Sequence, residues 1–431
     1  MKDFFLIKGL DGKKALNGTV SVNGAKNAVL PAMAGALLFK DSIMLENVPH
    51  IDDVIHLGEI LSDMGVLVDI TGRHTLMIDP SKITKTDLDY TLAKRMRASI
   101  ILTGPILARF GQVSFPHPGG CVIGARPIDL FIDAFQKMGA TVEEKENLYV
   151  IKSKGKKLHG AEIFFKMQSV TGTETIMMAA VLAEGKTVIK NAALEPEIVS
   201  LAEFLVSCGA KIKGAGTSTI EITGGGLLSA KKKIYKTIPD RIETGSFLIL
   251  GALAADNLEI TNCNPADIEI VIRLLKDAGV PIETGKDFIR IVNNAKVKKP
   301  FSSFNIKTHE FPGFPTDLQA PMAVFLTQAE GEGVIFETIF EGRLNYTQDL
   351  VKMGAAITQW DTHRAMVKGQ TPLRGKELDG PDLRAGLAYI LAGIVAEGDS
   401  VINNIHFVDR GYEQIEVRLK AIGVDIERVS N

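Results

Sequence analysis

Two kinds of apolar segment alternate along this chain. The first is apolar on almost every face, as in residues 175–183 and 247–254, and predicts helices buried all round rather than surface helices with one apolar stripe. The second is short and β-branched or alternating, as in Thr187-Val188-Ile189, Leu258-Glu259-Ile260 and Ser400-Val401-Ile402, and predicts half-buried strands. Between them a second set of helices ends each time at a glycine suited to the left-handed position past a helix C-terminus: Gly65, Gly139, Gly209, Gly279, Gly354 and Gly423.

Those glycines recur at steps of about 70 residues, which makes the chain six copies of one helix–strand–helix–strand unit. The first helices open at Gly24-Ala25-Lys26-Asn27, Met96-Arg97-Ala98-Ser99, Gly172-Thr173-Glu174-Thr175, Ile242-Glu243-Thr244-Gly245, Pro315-Thr316-Asp317-Leu318 and Pro381-Asp382-Leu383-Arg384. One buried helix per unit implies units packed around a helical centre with sheets outside. The period is far longer than that of a simple solenoid and no unit has a polar capping face, so closed domains are expected, either one ring of six or two groups of three. Residues 231–240, with Lys231-Lys232-Lys233 and Pro239, are the candidate crossing between domains.

The polar residues that interrupt this pattern fall at two equivalent places. The start of the first helix carries Lys26, Arg97, Ser169, Arg241, Glu243, Asp317 and Arg384; the loop before the second carries Asp53, Arg126, Asp129, Glu195, Glu197, Asp267, Arg343 and Arg410. Helix N-termini offer free N–H groups and a positive dipole end, so several of them together with Lys26, Arg97, Arg126, Arg343, Arg384 and Arg410 describe a pocket for several phosphates or carboxylates. Asp53, Asp267 and Glu195 fit equally well as ordinary favourable charges at a helix start. Arg97, Arg384 and Arg410 do not, because arginine near a helix N-terminus opposes the dipole; placement against local preference points to function.

Composition narrows the field. The chain has 431 residues, 45% hydrophobic and 23% charged, with formal net charge −2, so no global field draws it to nucleic acid or an anionic membrane, and anions must be met by local clusters. Three cysteines, Cys121, Cys208 and Cys263, are too few for a disulfide framework and wrongly spaced for zinc. The apolar runs are about half the roughly 20 residues a membrane span needs. A soluble cytoplasmic protein that needs no metal is the expectation. Cys121 sits in the irregular stretch Phe115-Pro116-His117-Pro118-Gly119-Gly120-Cys121, five residues before Arg126, where backbone amides and a guanidinium favour its thiolate; Cys208 reads as core packing and His117 as a loop histidine without a role.

Gly24-Ala25-Lys26-Asn27-Ala28, Met96-Arg97-Ala98-Ser99, the run from Pro118 to Pro127, Pro239-Asp240-Arg241-Ile242-Glu243-Thr244-Gly245, Phe314-Pro315-Thr316-Asp317 and Asp409-Arg410-Gly411-Tyr412-Glu413 resemble, in order and along the whole length, the UDP-N-acetylglucosamine 1-carboxyvinyltransferase family. The resemblance implies two inside-out α/β barrel domains of three repeats each, residues 26–239 and residues 1–25 with 240–431, and an active site in the cleft between them. It implies transfer of the enolpyruvyl group of phosphoenolpyruvate to the 3-hydroxyl of UDP-N-acetylglucosamine, without a cofactor. Lys26 and Asn27 match phosphoenolpyruvate contacts, and Arg126, Arg384 and Arg410 a cationic clamp; Arg343 is counted among the substrate-binding residues from its place in the repeat. Arg97, Arg126, Pro127, Ile128, Asp129, Leu130, Ser169, Val170 and Ile339 match positions that hold the sugar nucleotide. Asp317 resembles the base that takes the 3-hydroxyl proton, and Cys121 the acid that protonates the methylene carbon. The stretch Lys166-Met167-Gln168 departs from the usual family pattern, in which a lysine stands one place later. Another acceptor alcohol, a non-catalytic sugar-nucleotide-binding paralogue and an RNA-end phosphate cyclase are the rival readings. Retention of Cys121, Lys26 and Asp317 disfavours the paralogue, and the lack of a basic stripe disfavours the cyclase.

Overall fold

The computed structural model describes residues 3–117 and 128–430. The chain divides into two compact units, one of residues 3–23 and 239–430, the other of residues 24–117 and 128–238. Each has its own apolar core.

In the second of these units, three helices occupy the centre: Lys26–Gly35, Thr103–Phe110 (entered through the 3-10 turn Arg97–Leu102) and Val170–Leu182. From Gly172 to Leu182 every residue is buried, as the unbroken apolar pattern requires. Three sheets surround them. One is completed across a long chain interval, where Ile234–Lys236 pairs parallel with Ile43–Glu46 in the register Tyr235↔Leu45.

The other unit repeats the plan around the helices Arg241–Ala254, Gln319–Gln328 and Leu383–Val395. The N-terminal strands complete two of its sheets. Leu16–Ser21 runs parallel to Ala255–Thr261, and Phe4–Lys8 lies between Asp399–Asn403 and Ile426–Val429, antiparallel to both. Helices inside and sheets outside is the inside-out α/β arrangement expected from the sequence.

All six repeat glycines are left-handed, with φ from 88° at Gly139 to 110° at Gly209. A second repeat mark went unread in the sequence. Asn47, Asn191, Asn262 and Asn404, each just past the strand that follows a first helix, have φ between 53° and 58°. Three of them donate a side-chain N–H to a nearby backbone carbonyl: Asn47 to Thr237 (2.9 Å), Asn191 to Phe165 (2.8 Å) and Asn262 to Val22 (2.6 Å). Asparagine tolerates the left-handed region and can tie down the turn it makes, which suits it to this corner. Among the described residues no helix is long and apolar enough to cross a membrane.

Central helices can approach this closely only where side chains are absent. A Cβ on Gly104 would lie 2.2 Å from the Thr175 carbonyl oxygen of the neighbouring helix. Gly104→Ala therefore forces two buried helices apart. It should cost about 1–3 kcal/mol, the usual penalty for overpacking a core, read as a lowered thermal midpoint; an unchanged midpoint would mean that the two helices are free to separate.

Candidate active site

The 3-10 turn Thr316–Leu318 presents Asp317 at the entry to the Gln319–Gln328 helix. Two arginines meet it, Arg343 from the same repeat and Arg384 from the next. Arg384, near the start of the Leu383–Val395 helix, places a guanidinium nitrogen 2.8 Å from Asp317 Oδ2, and the Arg343 guanidinium pairs with Oδ1. Asp382 supports Arg384 by capping this helix, accepting the N–H groups of Arg384 (2.7 Å) and Ala385 (3.1 Å). The other face of the Arg384 guanidinium donates to the Tyr412 hydroxyl at 3.0 Å, which in turn lies 3.0 Å from the Ser246 hydroxyl. Ser246 already donates to the Ile242 carbonyl at 2.7 Å, so Tyr412 donates to Ser246.

The arginine side chains are 5% and 7% exposed, against 25% for Asp317. Burial alone would push the Asp317 carboxyl up. The guanidinium groups of Arg384 and Arg343 overcome that and hold it well below the ordinary carboxylate range. While so paired, Asp317 is a firmly ionised and weakly basic carboxylate.

Nearby, Glu337 is fully buried. Its Oε1 accepts the Thr308 hydroxyl (3.1 Å) and the N–H groups of Ile339 (2.8 Å) and Phe340 (3.0 Å); Oε2 accepts the Thr316 hydroxyl at 2.8 Å. Arg410 departs from expectation. It follows the short helix His406–Asp409 as its C-cap, so it does not oppose a helix N-terminus. The preceding Asp409 is gripped by Arg428 through two contacts of 3.0 and 2.6 Å.

In the other unit, Lys26 opens its helix and places Nζ 2.6 Å from Asp53 Oδ2, whose side chain is 1% exposed. Asp53 stands in the first turn of the Asp52–Asp63 helix and also joins the two polar positions of the first repeat. Asn27 and Arg97 are half-buried, and Arg97 shares a small recess with Phe115, Pro116 and His117. Ile128 is buried as the N-cap of the Asp129–Lys137 helix, with Asp129 exposed and Leu130 half-buried. Ser169 caps the Val170–Leu182 helix by accepting the Gly172 N–H at 3.0 Å. Met167 is exposed, and Gln168 donates to the Ala192 carbonyl at 3.2 Å. Cys121, Arg126 and Pro127 lie outside the described residues. The His117 ring lies against Tyr149, with ring centroids 4.4 Å apart and the planes tilted by 38°.

The EPSP synthase (3-phosphoshikimate 1-carboxyvinyltransferase) family matches residues 10–419. Proteins named UDP-N-acetylglucosamine 1-carboxyvinyltransferase are similar throughout. That of Koribacter versatilis is 43% identical over 99% of this chain and 96% of its own, and that of Acidobacterium capsulatum 43% identical over 100% and 97%. The chain belongs to the UDP-N-acetylglucosamine 1-carboxyvinyltransferase family of enolpyruvyl transferases. Its fold is also that of the enolpyruvyl transferase NikO from Streptomyces tendae (TM-score 0.85, 23% identity, covering 100% of this chain and 99% of that one) and of EPSP synthase from Acinetobacter baumannii (TM-score 0.75, 18% identity, 99% and 100%).

The structure adds residues to this enolpyruvyl transferase that sequence reasoning left out: Glu337, Tyr412, Ser246 and Glu174. Glu174, one turn into the Val170–Leu182 helix, is 3% exposed, and its Oε1 has no hydrogen-bond partner. Burial, then the negative charges of Glu197 and Glu195, raise its pKa well above the usual range. The thiols of Cys208 and Cys263 are both buried, which raises their pKa values, that of Cys263 to about 11.

Two opposite pH dependences follow. Asp317 is depressed in the folded protein, so its contribution is complete above the ordinary carboxylate pKa of about 4 and is lost as pH falls below that value toward its folded pKa. Asp317→Asn strands two buried guanidinium groups and should cost about 3 kcal/mol near neutrality, with the gap in thermal midpoint closing in acid; a gap constant with pH would mean the ion pairs do not stabilise the fold. Glu174 is raised instead. Its protonation penalty grows as pH rises above about 4. Glu174→Gln should gain in midpoint relative to the parent as pH rises, and a gain that shrinks would show Glu174 to be ionised.

Proposed function

We propose that this chain transfers the enolpyruvyl group of phosphoenolpyruvate to the 3-hydroxyl of UDP-N-acetylglucosamine with release of phosphate, an early step of peptidoglycan precursor synthesis carried out in the cytoplasm. The full-length 43% identity to two carboxyvinyltransferases carries this reading. The cluster at Asp317 supports the assignment of roles.

In this reading Cys121 protonates the methylene carbon of phosphoenolpyruvate, because a carbon of an enol is a poor proton acceptor and needs a positioned acid. The resulting oxocarbenium-like centre is attacked by the 3-hydroxyl, whose proton passes to Asp317; the tetrahedral ketal then loses phosphate, and the new methyl group gives one proton back to the Cys121 thiolate, which restores the carbon–carbon double bond of the enolpyruvyl group. Lys26, Arg126, Arg384 and Arg410 hold the phosphate and carboxylate, with Asn27 beside Lys26 and Arg343 beside Asp317. Arg97, Pro127, Ile128, Asp129, Leu130, Ser169, Val170 and Ile339 hold the sugar nucleotide. The low basicity of Asp317 fits if an anionic substrate draws Arg384 away, since each guanidinium removed makes the carboxylate a better base.

Phosphate release from phosphoenolpyruvate tests the reading. Release should require UDP-N-acetylglucosamine and should not occur with shikimate 3-phosphate; the reverse would reassign the acceptor. Asp317→Asn should slow turnover on the order of 10²–10⁴-fold, the usual share of a general base. Cys121→Ser should also slow it, a hydroxyl being the weaker acid. Full activity of either variant would strike that residue from the mechanism.

A further inference from the structure

Glu337 is an unusual residue to bury. Among the described residues no cation pairs with its carboxylate, and such a charge is costly to desolvate unless donors surround it. Here four do, and they come from three segments: Thr308, Thr316 and the adjacent amides of Ile339 and Phe340. The residue is itself held at its backbone, where its N–H donates to the His363 carbonyl and its carbonyl meets His363 Nδ1, both at 2.8 Å.

The contacts form a closed circuit. Glu337 Oε1 accepts the Phe340 N–H; the Phe340 carbonyl accepts the Arg343 N–H at 3.1 Å; the Arg343 guanidinium pairs with Asp317; and Thr316, next in the chain to Asp317, donates back to Glu337 Oε2. Both ends of the Arg343–Asp317 ion pair are thus tied to one carboxylate, and Ile339 hangs from the same oxygen.

We infer that Glu337 is a positioning residue that fixes the Asp317 carboxylate relative to the turn carrying Ile339 and Arg343. The inference rests on the reading of Asp317 as the proton acceptor. Two oxygens that accept only N–H and O–H donors set position in a way that apolar packing could not, because each hydrogen bond constrains direction as well as distance. Asp317 touches the substrate in this account, and Glu337 acts through it.

The test uses the full-length enzyme and phosphate release. Thr316→Val keeps the shape of the side chain and cuts the link between Glu337 and the Asp317 segment. It should lower kcat on the order of 10-fold or more, the scale at which small misplacements of a reacting group are felt, while Thr316→Ser, which keeps the hydroxyl, restores it. Glu337→Gln should lower kcat and also raise the KM for UDP-N-acetylglucosamine through the Ile339 turn. In an Asp317→Asn background Thr316→Val should cause no further loss, since effects that act through one group do not add. Thermal midpoints of all variants separate loss of fold from loss of position. Normal kcat in Thr316→Val, or an equal loss with and without the Asp317 carboxylate, overturns the inference. Near-normal turnover of Asp317→Asn alone marks instead the failure of the proton-acceptor reading.

Discussion

A helix that is apolar on every face can only be buried, and in each repeat of this chain such a helix sits at the centre of its unit. Its flanks then accept nothing polar without penalty, which leaves its ends as the places where charge can stand. This constraint explains why Lys26, Arg97, Asp317 and Arg384 recur at one position of the repeat. It also explains the glycines: Gly104 exists because neighbouring central helices approach to backbone contact, and the left-handed corner residues exist because each repeat must turn from strand to helix in few residues.

Charge at those ends is resolved in opposite ways. At Asp317 two buried guanidinium groups face one carboxylate, and they hold its pKa well below the ordinary carboxylate range. Glu174 is buried more completely, and the negative charges of Glu197 and Glu195 add to burial in favouring its protonated form. The same functional group is driven toward the anion in one unit and toward the neutral acid in the other; the sign of the neighbouring charge decides. A buried ion pair adds little net stability over apolar packing, so the Asp317 cluster is better understood as arranged for chemistry than for the fold.

Much of this was legible in the chain, for reasons tied to particular residues. The repeat was visible because a helix stop needs a left-handed residue and glycine supplies it, at Gly65 as at Gly423. The asparagine corners carry the same conformation but were passed over, since asparagine is common in loops for many reasons. Asp317, Arg343 and Arg384 could be named from their place in the repeat, whereas their pairing could not, because it depends on side-chain directions from two repeats. Arg410 misled because the loop before the last helix forms a short helix of its own, His406–Asp409, and reverses the expected polarity. Glu337 left no signal at all: in a Phe336-Glu337-Thr338 strand end it reads as a solvated charge, and only the convergence of four donors shows otherwise.

The Asp317 pairing also bears on how binding and proton transfer are linked. Arg384 can satisfy Asp317 or an incoming anion, and its second anchor, the Tyr412 hydroxyl, is neutral and asks for no charge in return. An anion that engages Arg384 therefore weakens its hold on Asp317 and raises the basicity of the carboxylate. Coupling between two binding events is reciprocal, so a proton on Asp317 must strengthen anion binding at Arg384 by the same free energy. The carboxylate is thus a poor base while both arginines pair with it, and any anion that takes Arg384 away makes it a better one. In the proposed reaction, a group tuned in that way would withhold proton abstraction until the anion that makes it productive arrives, and the side chains that hold the pair together would be the ones that release it.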